Sequence, residues 1–189
     1  MRQWRMLLTV LAILPRIVFA DQFEDAKKAF RIEDYDTAVK LYLPLAERGH
    51  SMAQSNLAWM YQTGRGVPKD DRKAVFWYRK AADHGNLTAY EMLGSMYDFG
   101  QGVPKDHQQA VFWYRKAAEG GSTSSQDTLA TKYINGVGVD IDFQEAYFWL
   151  LIACVGDPSL IGRRDWVQGK ITTKQRAAAQ AKARTWVPR

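Results

Sequence analysis

The nine residues AVFWYRKAA occupy positions 74–82, and the same nine letters recur without a change at positions 110–118. The stretch GVPKD at 66–70 returns at the same offset of 36 residues, at 102–106. A fixed period of this length is the sequence signature of a repeat architecture, in which each unit packs only on its neighbours. We therefore interpret the body of the chain as a stack of 36-residue repeats.

Two further copies of the repeat are less well preserved. One keeps eight positions in register: Leu129, Tyr133, Gly136, Gly138, Asp142, Ala146, Trp149 and Ala153. The other, near the start of the chain, keeps Ala38, Tyr42, Ala46 and Gly49. The sequence therefore predicts four repeats, which we number 1 to 4 in chain order: residues 21–50, 51–86, 87–122 and 123–156.

Each repeat has the pattern of two helices joined by a glycine-containing turn. Apolar side chains in residues 53–61 recur at intervals of three and four, and those in residues 74–81 do the same. This spacing places them on one face of a helix. Between the two segments, Gly64 favours a left-handed helix end, and Asp70 is a residue type that caps the start of the next helix.

A single helix pair cannot bury its apolar face, so the repeats must stack on one another. The fold class predicted is all-α, a right-handed α/α superhelical solenoid. Residues 157–189 leave the repeat register and are predicted to form a C-terminal helical cap, with one helix starting near Asp157 and another at Thr172.

The pattern A-x3-L-[AG]-x2-Y-x2-G-x-G-V-x-K-D-x3-A-x2-W-Y-x-K-A-A is met almost completely over residues 53–82 and again over 89–118. These residues resemble the Sel-one-like repeat family, relatives of the tetratricopeptide repeat. Repeat 4 departs from the pattern at Ile141 and Leu150. The resemblance implies a binding scaffold of the kind that serves as an adaptor in protein complexes, often in secreted or periplasmic bacterial proteins.

The first twenty residues have the features of a secretory signal peptide. Arg2 and Arg5 precede the short apolar run Leu7–Leu14, and the segment ends with Ala20 as a small residue at the expected cleavage site. The competing interpretation is a membrane anchor, but a spanning helix needs about 20 apolar residues and this run is interrupted by Pro15. We expect cleavage after Ala20 and a mature protein that is periplasmic or secreted.

The net charge of +6 is concentrated at the C-terminus, because residues 157–189 carry eight basic and two acidic side chains. Residues 21–156 carry more acidic than basic side chains, so nucleic-acid binding is not implied. The basic residues are either the solvated face of a cap or a docking surface for anionic lipid, an acidic partner or an anionic wall polymer. They are Arg163, Arg164, Lys170, Lys174, Arg176, Lys182 and Arg184.

A partner protein is predicted to bind on the first helix of each repeat, on the face opposite the core stripe, where the repeats differ in sequence. The candidate positions are Asn56, Trp59, Glu91, Met92, Ser95, Asp127 and Thr131. Two interpretations of Trp59 stay open. It is either an exposed anchor for the partner or a side chain that packs against repeat 1.

Residues with the spacing of a catalytic, cofactor or metal site are not found in the sequence. The three histidines lack zinc-ligand spacing and are expected to be solvated turn residues. Cys154 is the single cysteine and aligns with Ala82 and Ala118, so an inert packing position is expected. We therefore predict no enzymatic activity and no cofactor.

Together these features predict an exported, noncatalytic repeat scaffold that acts as adaptor or regulator of a bacterial envelope or secreted protein. The alternative is a periplasmic protein that interacts with peptidoglycan or β-lactams, because a cysteine-rich branch of the family resembles penicillin-binding proteins. That branch locks each repeat with a cysteine pair, and this chain has one cysteine only.

Overall fold

The computed structural model describes residues 22–188. The predicted signal peptide, residues 1–20, lies outside the described residues. Within them the secondary structure consists of α-helices, one short 3₁₀ helix and turns. The all-α prediction is therefore confirmed for this part of the chain.

The helices follow one another with short connections. The first, α1, covers residues 22–31. The others are α2 Tyr35–Glu47, α3 Ser51–Thr63, α4 Asp71–Ala82, α5 Leu87–Phe99, α6 His107–Glu119, α7 Thr123–Asn135, α8 Phe143–Gly156, α9 Ile161–Gln168 and α10 Thr173–Arg184. The 3₁₀ helix Pro158–Leu160 leads directly into α9.

The helices form two compact units. The N-terminal unit ends at Asn86 and contains α1 to α4, and the C-terminal unit begins at Leu87 and contains α5 to α10. The bounds of α2 and α3 return as those of α6 and α7 after 72 residues, and α8 begins 72 residues after α4. The two units therefore contain equivalent three-helix segments, α2–α4 and α6–α8.

The core of the N-terminal unit is built from the predicted stripes. Ala53, Leu57 and Met60 of α3 are fully buried, as are Ala74 and Tyr78 of α4. Small alanines allow the two helices to approach closely, so the larger side chains fill the remaining space.

The core of the C-terminal unit is centred on α8, whose residues 146–150 are all buried. Leu129 of α7 packs on one side of α8. Val167 of α9 and Ala179 of α10 belong to the same apolar cluster. The C-terminal segment therefore covers α8, in agreement with the predicted helical cap.

The predicted helix starts are confirmed by their hydrogen bonds. Asp70 accepts from the Lys73 N–H, and Asp106 and Asp142 make equivalent bonds at the starts of α6 and α8. Thr172 and Gln175 form a capping box at the start of α10. Each cap pairs a backbone N–H that would otherwise lack a partner in the first turn.

One glycine in each of the equivalent segments is required by a close backbone approach. Gly66 has a φ of 70°, and a Cβ placed on it would lie 2.5 Å from the Tyr35 carbonyl oxygen. Gly138 has a φ of 77°, and its Cβ would lie even closer to the carbonyl oxygen of His107. In both segments, the turn that follows the second helix (α3 or α7) therefore lies against the start of the helix before it (α2 or α6).

Candidate partner-binding surfaces

Trp59 is partly buried at the edge of the N-terminal core. Its ring lies edge-on to Phe30, with the ring centroids 5.0 Å apart. The Arg65 guanidinium lies 5.3 Å from the centre of the same ring and donates to the Tyr35 hydroxyl. Trp59 therefore packs on residues of repeat 1 and is partly exposed, and its role as an anchor for a partner stays a prediction. Asn56, one turn earlier on α3, is also partly buried.

The three candidates on α5 are partly buried and two of them bond to other helices. The Glu91 carboxylate accepts from the Ser122 hydroxyl at the start of α7. Ser95 bonds to Tyr114 of α6. Met92, which lies between these two residues in the sequence, is partly exposed and adds an apolar surface. These bonds fix the side chains in place, so a partner would meet a preorganised surface.

Both candidates on α7, Asp127 and Thr131, form hydrogen bonds with one residue of the predicted basic surface. Arg163 of α9 donates to the Asp127 carboxylate and, at 3.2 Å, to the Thr131 hydroxyl. Residues from the two predicted surfaces, the first-helix face and the basic C-terminus, thus meet within the C-terminal unit. The positive charge of Arg163 is neutralised there by Asp127.

The other basic candidates are divided between intramolecular contacts and solvent. Arg164 pairs with Asp165 at 2.7 Å, and Lys182 pairs with Glu145 at 2.6 Å. The Lys170 ammonium lies 5.2 Å from the centre of the Trp166 ring. Lys174 and Arg184 are exposed, and Arg176 is partly buried. Because Arg163, Arg164 and Lys182 each have an acidic neighbour, the surface is less positive than the number of basic residues indicates.

An ionic cluster that sequence reasoning missed lies between α5, α6 and α7. The Lys132 ammonium donates to both oxygens of Asp98, at 2.6 Å to Oδ2, and Nδ1 of His107 lies 2.6 Å from Oδ1. The Lys132 and Asp98 side chains are 10% and 13% exposed. His107 was expected to be a solvated turn residue, and it is instead a member of this cluster.

The cluster controls the protonation of its carboxylate. Burial opposes ionisation of Asp98, but the hydrogen bonds and positive charge of Lys132 and His107 outweigh it and hold the pKa of Asp98 below its usual range. Burial, reinforced by the negative charge of Asp98, raises the pKa of Tyr114 to about 12. Asp98 is therefore a carboxylate with its charge satisfied inside the fold, which is a structural role.

A sequence signal for this cluster exists in the repeat itself. Lys132 occupies the position of Met60 and Met96, both of which are fully buried. A lysine where other repeats bury a methionine indicates that an acidic partner must be near. The identity of that partner, Asp98, follows only from the structure, in which the end of α5 lies beside Lys132 of α7.

An open groove runs beside α4 in the N-terminal unit, with a volume of about 580 Å³. We call it the α4 groove. Phe76, which is 51% exposed, and Trp77 form its α4 side. Lys80 of α4 also belongs to this side. The remaining wall is formed by the end of α2 and the turn after it, by α3 and by the end of repeat 2: Ala46, Glu47, Arg48, Gly49, Gln54 and His84.

The equivalent region of the C-terminal unit is occupied by the chain's own C-terminal segment. Two cavities, of about 180 and 370 Å³, lie beside α8, and Trp186 lines both. Phe148, the counterpart of Phe76, is 2% exposed, and the Lys182 ammonium lies 3.9 Å from the centre of its ring. The outer face of α8 is thus covered where that of α4 is open.

Few side chains in residues 22–188 have the arrangement of a metal site or of an activated nucleophile. No group of three or more His, Cys, Asp or Glu side chains in this range is arranged to hold a metal ion. Cys154 is partly buried, and burial raises the pKa of its thiol. A raised pKa disfavours the thiolate, which is the nucleophilic form. In the same range, none of the helices is long and apolar enough to cross a membrane.

The comparisons with known proteins agree with this architecture. The Sel1 repeat family model matches residues 27–50, 51–86, 87–122 and 128–154. The structure is similar to that of a Sel1 repeat protein from Oxalobacter formigenes, with a TM-score of 0.66 and 29% identity, covering 69% of this chain and 54% of that one. No curated protein sequence matches the chain.

A second similar structure is that of a protective antigen present in uropathogenic Escherichia coli strains, which displays an SLR fold. The TM-score is 0.56 and the identity 29%, covering 90% of this chain and 48% of that one. The chain thus spans about half the length of both solved structures. Sel1 repeat proteins are generally protein-interaction scaffolds. On the four family matches and the helix pairs that they cover, this chain belongs to the Sel1 repeat family.

Proposed function

We propose that the chain is an exported, noncatalytic scaffold that binds a protein of the bacterial envelope or a secreted protein, as its adaptor or regulator. The observation that carries the proposal is the set of four Sel1 repeats, because this family generally provides surfaces for protein interaction. Export is supported by the leader-like sequence of residues 1–20. The adaptor role is supported by partly exposed side chains that differ from repeat to repeat.

The proposed contact surface is the first-helix face of the repeats. Trp59 offers part of an aromatic ring beside the Arg65 guanidinium, and this combination is common among residues that dominate binding energy. Met92, the repeat counterpart of Asn56, offers an apolar surface on α5. Partner specificity would then come from positions where the repeats have diverged.

The proposal is tested by crosslinking in intact cells, followed by purification of the chain from the envelope fraction and mass spectrometry. We expect one envelope or secreted protein to be enriched. The Met92→Arg variant should reduce its recovery several-fold, because a bulky charge would enter the contact surface. Lys116→Ala, at an exposed position on α6, serves as the control and should leave recovery unchanged.

Trp59→Ala is the second variant, and it needs a stability control because the ring packs on Phe30. Reduced recovery with an unchanged thermal midpoint by circular dichroism would support a direct contact. Unchanged recovery for both variants would refute the proposed surface. Recovery of wall fragments, or labelling of the chain by a fluorescent penicillin, would refute the scaffold role in favour of a peptidoglycan-interacting protein.

A further inference from the structure

Part of the wall of the α4 groove is repeated in the region that Trp186 occupies in the C-terminal unit. Three positions 72 residues apart keep the same residue type in both: glutamate, glycine and glutamine. They are Glu47 and Glu119, Gly49 and Gly121, and Gln54 and Gln126. Phe76 and Trp77 likewise return as Phe148 and Trp149. The C-terminal unit therefore shows which kind of segment this wall can accept.

The segment that fills the C-terminal site is the end of α10 and the residues after it. Trp186 lies between the two cavities, and Ala183 and Pro188 line the larger one. Lys182, four residues before Trp186, covers the Phe148 ring and pairs with Glu145. An aromatic anchor with a charged residue one helical turn before it is thus the occupant for which this wall is shaped.

The charge of the two sites differs at the position that pairs with Lys182. The counterpart of Glu145 in the N-terminal unit is Lys73, which lies outside the residues that line the α4 groove; its side chain is 61% exposed and lies 3.8 Å from the Asp70 carboxylate. The counterpart of Ile152 is Lys80, which lines the α4 groove. Compared with the C-terminal site, the α4 groove is therefore more positive at both positions, which favours a carboxylate over a lysine in the position of Lys182.

A hydrogen-bond acceptor without a partner lies in the wall of the α4 groove. Gln54 is 3% exposed and donates its side-chain N–H to the Ala46 carbonyl oxygen at 2.9 Å. Its Oε1 atom has no hydrogen-bond partner among the described residues. A buried acceptor is costly to leave unpaired, so the hydrogen bonds of this part of the wall are incomplete in the N-terminal unit.

We propose that the α4 groove binds a partner segment that carries a tryptophan with an acidic residue four positions before it. The proposal rests on the scaffold function above and gives the chemistry of one of its partners. Because the chain's own C-terminal segment carries Lys182 at that position, the charge of the groove disfavours the same segment from a second copy. The equivalent site in the C-terminal unit stays occupied by the chain's own C-terminal segment, because that segment is covalently joined to the helices that form the site.

The probes are two fluorescein-labelled peptides with the sequence of residues 180–189, QAKARTWVPR, one unchanged and one carrying the Lys182→Glu substitution. Binding to the purified chain is measured by fluorescence anisotropy. We expect the glutamate peptide to bind about tenfold more tightly than the lysine peptide, because it exchanges repulsion from Lys73 for attraction. Raising the salt concentration should reduce this difference.

Matched protein variants locate the site. Phe76→Ala should weaken binding of the glutamate peptide by about tenfold, as expected for loss of an aromatic contact. Phe112→Ala is the control, because this residue lies in an identical nine-residue stretch, is 48% exposed and is outside the α4 groove. Lys73→Glu should reverse the preference between the two peptides.

Three results would overturn the proposal: no binding of either peptide, equal binding of both, or equal effects of Phe76→Ala and Phe112→Ala. The assay uses purified protein and synthetic peptides, so its failure is distinct from failure of the crosslinking experiment. A captured partner that remains bound to Phe76→Ala would support the scaffold role and contradict the α4 groove as its site.

Discussion

Helices α4 and α8 occupy the same place in the repeat and carry the same Phe-Trp pair, but their outer faces have opposite environments. Phe76 is open to solvent, whereas Phe148 is buried beneath α10 and Trp186. The repeat register therefore sets where a side chain points, and the segment that packs next sets its role. An identical residue type is a stability determinant in one helix and an available surface in the other.

The largest predicted effect separates these two phenylalanines. Phe148→Ala should lower the free energy of unfolding by about 3–5 kcal/mol, because it opens a cavity in a closed core. Phe76→Ala should cost less than about 1 kcal/mol, because little buried surface is lost. Equilibrium urea denaturation followed by circular dichroism measures both. Equal losses would show that the outer face of α4 is as closed as that of α8.

The next prediction concerns a feature that both segments share. Gly66→Ala and Gly138→Ala should each cost about 2–4 kcal/mol, from left-handed backbone strain and from the clash with a carbonyl oxygen. The same denaturation experiment applies. Gly162→Ala is a suitable control, since a Cβ at Gly162 meets no atom within 4 Å and its φ is not left-handed. A loss in only one segment would show that the close approach is not equivalent in the two.

A smaller effect is expected where the C-terminal unit departs from the repeat. Lys132→Met restores the residue type of Met60 and should cost about 2 kcal/mol, because the partly exposed carboxylate of Asp98 loses its ammonium partner. Adding Asp98→Gln, the residue type of Gln62, should recover most of that loss, because the unpaired charge is removed. A double-mutant cycle from thermal or urea unfolding measures the coupling. Additive losses would contradict the ion pair.

The smallest effect is a pH dependence of the same cluster. The pKa of Asp98 is lowered in the folded state, so the unfolded chain takes up this proton first as the pH falls. Its contribution to stability is therefore complete above the ordinary aspartate pKa and is lost as the pH falls through the lowered folded-state value. Asp98→Asn should show a shallower acid dependence than the unchanged chain, measured as the free energy of unfolding from pH 7 to pH 2. Parallel curves would exclude this role for Asp98.

Most of the helix arrangement could be predicted from the sequence, because its signals are local. Asp70 and Gly64 mark a helix start and a helix end within a few residues of their own hydrogen bonds. The partner of Lys132 lies 34 residues away, so it depends on helix packing that a local pattern does not contain. The covering of Phe148 depends in the same way on α10, which lies outside the repeat register.

The same distinction between local signals and long-range contacts applies to the candidate surfaces. The variable positions of the first helices could be identified from the sequence, since comparing repeats requires no structure. Contacts such as that of Arg163 with Thr131 could not, because they join the repeats to the C-terminal helices. The role of these residues in binding stays a prediction that the crosslinking variants address.

The contact between each turn glycine and the start of the preceding helix also bears on how the chain folds. Hydrogen bonds that tie separate helices together within a unit, such as those of Arg65 with Tyr35 and Lys182 with Glu145, join residues 30 and 37 apart in sequence. The entropy cost of closing a loop rises only slowly with its length, and contacts confined to neighbouring repeats keep sequence separations below those of distant pairings, which favours faster folding. Folding can then nucleate in either unit. A destabilising substitution in one unit should therefore slow the folding of that unit, while the other unit still folds.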